Sequence, residues 1–66
     1  MIIINHRDQM EWNENMTVMD LLDQLNYTSF LVTVTINSEL VHKFEYEDRK
    51  IPNNASVTIF NLAHGG

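Results

Sequence analysis

Gly65 and Gly66 are the only two glycines in this chain of 66 residues, and they are its last two. With average glycine usage near 7%, a terminal pair arises by chance in about 0.5% of chains. A Gly-Gly end has no side chains, so it can thread a narrow tunnel and bring an unhindered carboxylate to a buried nucleotide in a partner. Such an end would suit chemistry at the Gly66 carboxylate, which a tail could move between sites, with Gly65 giving access. A frayed chain end is the plain alternative for such a tail.

No other constellation competes. The chain has no cysteine, which removes thiol nucleophiles, cysteine-based zinc sites and redox pairs. His6, His42 and His64 fall in a turn, a strand and the tail, and none has another histidine at metal-ligand spacing. Glu11, Glu14, Asp20, Asp23, Glu39, Glu45, Glu47 and Asp48 read as a solvated face rather than as paired acids and bases. Ser29, Ser38 and Ser56 lack an adjacent base or a nucleophile-elbow sequence. The expectation is a protein without an active site of its own.

Composition sets further bounds. A chain this short buries only about 60% of its unfolded surface, so one thin-cored domain is expected. Nine acidic against four basic residues give a net charge of −5, which repels nucleic acid and anionic membranes alike. No apolar run nears the ~20 residues that span a bilayer, and Met1–Asn5 lacks the basic flank of a signal peptide, so a cytoplasmic setting is expected. The sequons at Asn15, Asn26 and Asn54 then read as chance matches.

Several elements must position the tail. Met1–Ile4 and Gln9–Asn13 read as strands of a hairpin turning at Asn5-His6-Arg7-Asp8, with Ile2, Ile4, Met10 and Trp12 on one buried face. Val18, Leu21, Leu22 and Leu25 form a helical stripe, with Thr17 as N-cap, Asp20 as its capping-box partner and Asn26 as the stop. Phe30–Ile36 alternates apolar and Thr from Val32 onward, Asn37-Ser38-Glu39 turns, and Leu40-Val41 begins a returning strand. Residues 43–50 read as a surface crossing anchored by Phe44 and Tyr46. Pro52-Asn53-Asn54 turns into a last strand at Val57–Phe60, extended by Leu62. The methionines, Met1, Met10, Met16 and Met19, read as fillers of the core.

The order β-β-α-β-β-β, with first and last strands apolar enough to lie centrally and in parallel, predicts an α+β domain. It is a β-grasp (ubiquitin-like) architecture, a mixed four- to five-stranded sheet crossed by one short helix. Residues 1–62 would form that domain and residues 63–66 a flexible tail.

The residues resemble those of the ThiS-type sulfur carriers of thiamine biosynthesis. Thr17-Val18-Met19-Asp20-Leu21-Leu22-Asp23-Gln24-Leu25 is similar to the family's Thr-Val-x-Glu/Asp-Leu-Leu-x-x-Leu helix. Val34-Thr35-Ile36-Asn37 and Leu40-Val41-His42-Lys43 resemble its Ala-x-Asn strand and Val-Pro-Arg segment, and Val57–Phe60 with Gly65-Gly66 its last strand and tail. Four departures stand out: Asn54-Ala55 replaces a Gly-Asp turn, Pro52 precedes it, His42 replaces a proline, and His64 precedes the glycines.

The resemblance implies a carrier rather than an enzyme. An E1-like (ThiF-like) adenylyltransferase would join Gly66 to AMP with ATP and Mg²⁺, a cysteine desulfurase route would supply sulfur to give a thiocarboxylate, and a ThiG-like thiazole synthase would accept it. No cofactor would reside on the chain, which would be a monomer when free. His64, Leu62 and Phe60 are the candidate partner contacts. The rival readings are the small subunit of molybdopterin synthase, a thiocarboxylate donor in another pathway, and a ubiquitin-like binding module with an incidental tail.

Overall fold

The computed structural model describes residues 1–61. Its strands are β1 (Ile2–Ile4), β2 (Asp8–Met10), β3 (Val32–Ile36), β4 (Glu39–Val41) and β5 (Ser56–Asn61). One helix, α1 (Val18–Gln24), and single 3-10 turns at Ser29–Leu31 and Lys43–Glu45 complete them. The five strands form one sheet in the order β2-β1-β5-β3-β4. β1 and β5 run parallel at its centre, with Ile3 opposite Ser56 and Ile4 opposite Val57. The hairpins β1–β2 and β3–β4 and the β3–β5 pair are antiparallel. This is the β-grasp arrangement that the order of elements predicts.

Alternation divides the sheet into two faces. Ile2, Ile4, Val32, Val34, Ile36, Val41, Val57 and Ile59 point inward and are buried. Val18, Leu21 and Leu22 of α1 are buried in the same core. Full burial of each Leu side chain is worth about 1.5–3 kcal/mol, which a helix of seven residues needs. Met10, Trp12, Met19 and Leu25 lie partly buried around that core, and Met16 inside it, whereas Met1 is exposed.

The helix start is secured twice. Thr17 Oγ1 accepts from the Asp20 N–H at 3.2 Å, and Asp20 Oδ2 accepts from the Thr17 N–H at 3.0 Å, closing the expected capping box. The next free donors, the N–H groups of Val18 and Met19, reach the carbonyls of Arg49 and Tyr46 at 2.9 Å each. The crossing at residues 43–50 is therefore the cap of the helix, held also by the Ile51 N–H on the Met16 carbonyl at 3.1 Å.

The structure corrects four sequence expectations, the first being Met1, which is exposed rather than a filler of the core. The second strand ends at Met10, because the chain turns so that the Trp12 indole N–H can donate to the Ile51 carbonyl at 2.6 Å. Phe30 and Leu31 belong to a 3-10 turn, and β3 begins where strict alternation begins, at Val32. Of the two aromatic rings in the crossing, Tyr46 is buried but Phe44 is exposed and stacks on His42, so only Tyr46 is an anchor. The expected extension by Leu62 and the tail at residues 63–66 lie outside the described residues.

Positive φ angles replace the missing internal glycines. Asn5, His6, Asn26, Asn37, Ser38 and Asn54 all have φ between 51 and 71°. Asparagine bears this at low cost, since its short amide can bond locally. A serine hydroxyl does so more weakly, and Ser38 occupies the second position of the two-residue β3–β4 turn at φ 71°. Ser38→Gly is expected to raise stability by about 0.5–1 kcal/mol, read as a higher urea midpoint at constant m-value; an unchanged or lower midpoint would show that Ser38 stores no strain.

Candidate functional site

Parallel pairing with β1 and antiparallel pairing with β3 bring four chain segments to one end of the sheet. The turn after β1 (Asn5-His6-Arg7), the 3-10 turn before β3, and His42-Lys43-Phe44 after β4 all gather where β5 ends at Asn61. This is the root of the C-terminal segment. All three phenylalanines of the chain are at this end and turned to solvent: Phe30 is 69% exposed, Phe44 81% and Phe60 53%. Phe60, opposite Thr33, lies on the outer sheet face with Leu40, Thr35, Thr58 and Ile3.

Three exposed phenylalanines at one end of a small domain are not required by the core, which is filled without them. Contiguous exposed apolar surface is a mark of interaction. Two of the four basic residues, Arg7 and Lys43, stand at the same end; Arg7 pairs with Asp8 at 3.7 Å, and the Lys43 ammonium donates to the Val32 carbonyl. His42 stacks on Phe44 with ring centroids 5.4 Å apart and planes 10° apart. A shallow hollow of about 220 Å³ lies beside them, lined by Thr33, Leu40, Val41, His42, Lys43 and Tyr46.

Below this surface the Val32 carbonyl is a junction. It accepts from Lys43 Nζ at 2.9 Å and from the Tyr46 hydroxyl at 3.1 Å. Burial of the Tyr46 ring raises its phenol pKa by desolvation, opposed by the weaker effect of a hydrogen bond with the Val34 backbone. Opposite, Asn5 Oδ1 accepts from the Ile59 N–H at 2.8 Å.

Of the residues singled out in the sequence, Phe60 is placed, exposed and near the end of β5. Leu62, His64, Gly65 and Gly66 lie outside the described residues. His6 and His42 are exposed at the tail end of the sheet, and among the described residues no three His, Cys, Asp or Glu side chains gather closely enough to hold a metal ion. Among those residues, no helix is long and apolar enough to cross a membrane. The sequence reading missed Asn5, Phe30 and Lys43 as members of this end; it misread Phe44 as an anchor. Strand order alone brings these residues together, and only their apolar or cationic character in turn-like positions could have flagged them.

A five-stranded sheet with a central parallel pair and one helix packed against its inner face is the β-grasp, or ubiquitin-like, fold. The ThiS family model matches residues 2–66, and the chain belongs to the ThiS family. Its fold is similar to the crystal structure of a thiamine biosynthesis protein (ThiS) from Geobacter metallireducens, with TM-score 0.78, 21% identity and coverage of 98% of this chain and 97% of that one. A search of curated proteins finds no significant match.

Tyr46 gives this end a testable pH dependence. Its pKa is raised in the folded state, so its contribution is complete below the unfolded phenol value near 10 and is lost as pH rises towards the folded value. Tyr46→Phe is expected to cost about 1 kcal/mol at neutral pH, the worth of one buried hydrogen bond, and to flatten the alkaline limb of a stability–pH curve. An alkaline limb of unchanged steepness would mean that the phenol does not carry it.

Proposed function

We propose that the protein is a sulfur carrier for thiazole formation in thiamine biosynthesis, with the Gly66 carboxylate as the carrying group. The carrying observation is that the family match runs to residue 66, through the chain's only glycines. Membership of the ThiS family supports the carrier role, and the thiamine biosynthesis protein of Geobacter metallireducens supports the pathway.

In this reading an adenylyltransferase uses ATP and Mg²⁺ to convert the Gly66 carboxylate into an acyl adenylate, releasing pyrophosphate. AMP is a far better leaving group than oxide, so the carbonyl becomes open to attack. The terminal sulfur of a persulfide, supplied through a cysteine desulfurase, displaces AMP. Thiol cleavage of the resulting acyl disulfide leaves a thiocarboxylate, which a thiazole synthase accepts. The body provides recognition: Phe60, with Leu62 and His64 beyond it, meets the partners, and the exposed rings of Phe30 and Phe44 widen that surface. A fully extended chain gains at most about 3.6 Å per residue, so the five residues after Asn61 reach less than about 18 Å. A partner that takes Gly66 into its interior must therefore cover this end of the domain. Residues 63–66 act as the tail and residues 1–62 as the body.

A ubiquitin-like binding module would use the same apolar end but would not need the glycines. ATP–pyrophosphate exchange by the cognate adenylyltransferase separates the two. Deleting Gly65-Gly66 is expected to abolish exchange without altering the melting temperature. Phe60→Asp is expected to raise KM about tenfold, near 1.4 kcal/mol of lost docking energy. Exchange at the full rate with the truncated chain would defeat the carrier reading and favour the binding module.

A further inference from the structure

β5 continues past the strands that flank its central partners. β1 ends at Ile4 and β4 at Val41, whereas β3 and β5 remain paired out to Val32 opposite Asn61. At the tail end the sheet thus narrows to a two-stranded ribbon, and an isolated ribbon is marginal in water. Both of its flanks have lost their next backbone partner.

Side chains stand in for the missing rungs on both sides. In a regular parallel ladder the Ile59 N–H would meet the backbone carbonyl of Asn5. Asn5 has φ 53°, in the left-handed region, and its amide side chain takes that place. Asn5 Oδ1 accepts from the Ile59 N–H at 2.8 Å, while the Asn5 N–H still reaches the Val57 carbonyl at 2.8 Å. One residue therefore turns the chain into its hairpin and still supplies two rungs to β5.

On the other flank β4 is already gone. There the Val32 carbonyl points away from β5 and is met by Lys43 Nζ at 2.9 Å and the Tyr46 hydroxyl at 3.1 Å. Tyr46 is buried, and its backbone carbonyl also caps α1 through the Met19 N–H, so this stitch is tied to the core.

We infer that Asn5, and Lys43 with Tyr46, are positioning residues that hold the β3–β5 ribbon from its two sides and fix the direction of β5 at the root of the C-terminal segment. The consequence for acyl transfer rests on the carrier reading: a fixed root directs Gly66 towards one reaction geometry after the body has docked, and a loosened root lowers the fraction of productive insertions.

The test uses the full chain and three variants. Asn5→Gly keeps the left-handed turn and removes only the amide, Asn5→Asp restores an acceptor, and Lys43→Met removes the ammonium while retaining its stem. Amide hydrogen exchange is followed at Phe60, whose N–H faces β3 because Ile59 donates towards β1, and at Val34 as the core reference. Asn5→Gly and Lys43→Met are each expected to speed exchange at Phe60 about tenfold with less than about twofold change at Val34, and Asn5→Asp to return it to the parent rate. In the adenylation assay kcat is expected to fall about fivefold with KM nearly unchanged. Equal acceleration at Phe60 and Val34, or a rise in KM alone, would overturn the inference by showing a merely structural role. A parent protein that is never adenylated would defeat the carrier reading instead, and the exchange data would still decide whether these side chains hold the ribbon.

Discussion

The parallel pairing of β1 with β5 at the centre of the sheet is the constraint on which everything else depends. It joins residues more than fifty positions apart in sequence, Ile3 with Ser56 and Ile4 with Val57, so the two ends of the domain meet in its middle. The chain must close nearly its whole length before this contact forms, an entropic cost that only a shared core can offset. Ile2, Ile4, Val57 and Ile59 supply the central part of that core, against Val18, Leu21 and Leu22 of α1. β5 lies between β1 and β3 over its first half, and its end stays paired with β3 out to Val32 opposite Asn61, with the Asn5 amide on its other side.

The rest of the architecture compensates for a small core and a lack of internal glycine. Asparagine takes four of the six left-handed positions and does more than tolerate them. Asn37 Oδ1 accepts from the Ser56 N–H at 2.9 Å at the start of β5, as Asn5 Oδ1 does from Ile59 near its end. The crossing at 43–50 supplies carbonyls to the helix start and the Tyr46 hydroxyl to Val32, which links α1, β3 and the tail root in one network. No buried side-chain nitrogen or oxygen is left without a partner among the described residues. A thin core tolerates this polarity because each group is satisfied.

Much of this was legible in the residues, since local rules and tertiary needs agreed. The alternation Val32–Ile36, the stripe Val18, Leu21, Leu22, Leu25 and the Thr17/Asp20 box each point to the element that forms, and the apolar first and last strands point to the central parallel pair. The failures have a common cause. Trp12, Phe30, Phe44 and Lys43 take their places from partners far away in sequence, which no local pattern records. The Trp12 indole leaves the strand pattern for the Ile51 carbonyl, and Phe44 stands in solvent stacked on His42 while Tyr46 is buried. At the candidate site the glycines were visible as a compositional oddity, whereas the shared position of the exposed rings and the two side-chain stitches became visible only with strand order.

The central claim is that the body positions and Gly66 carries. Its most direct test is the intact mass of the protein after incubation with ATP, its adenylyltransferase and a persulfide source, with fragment ions locating any change. The account predicts the exchange of one oxygen for sulfur, confined to Gly66. An unchanged mass with an adenylyltransferase shown to be active, or a sulfur located on any other residue, would contradict it.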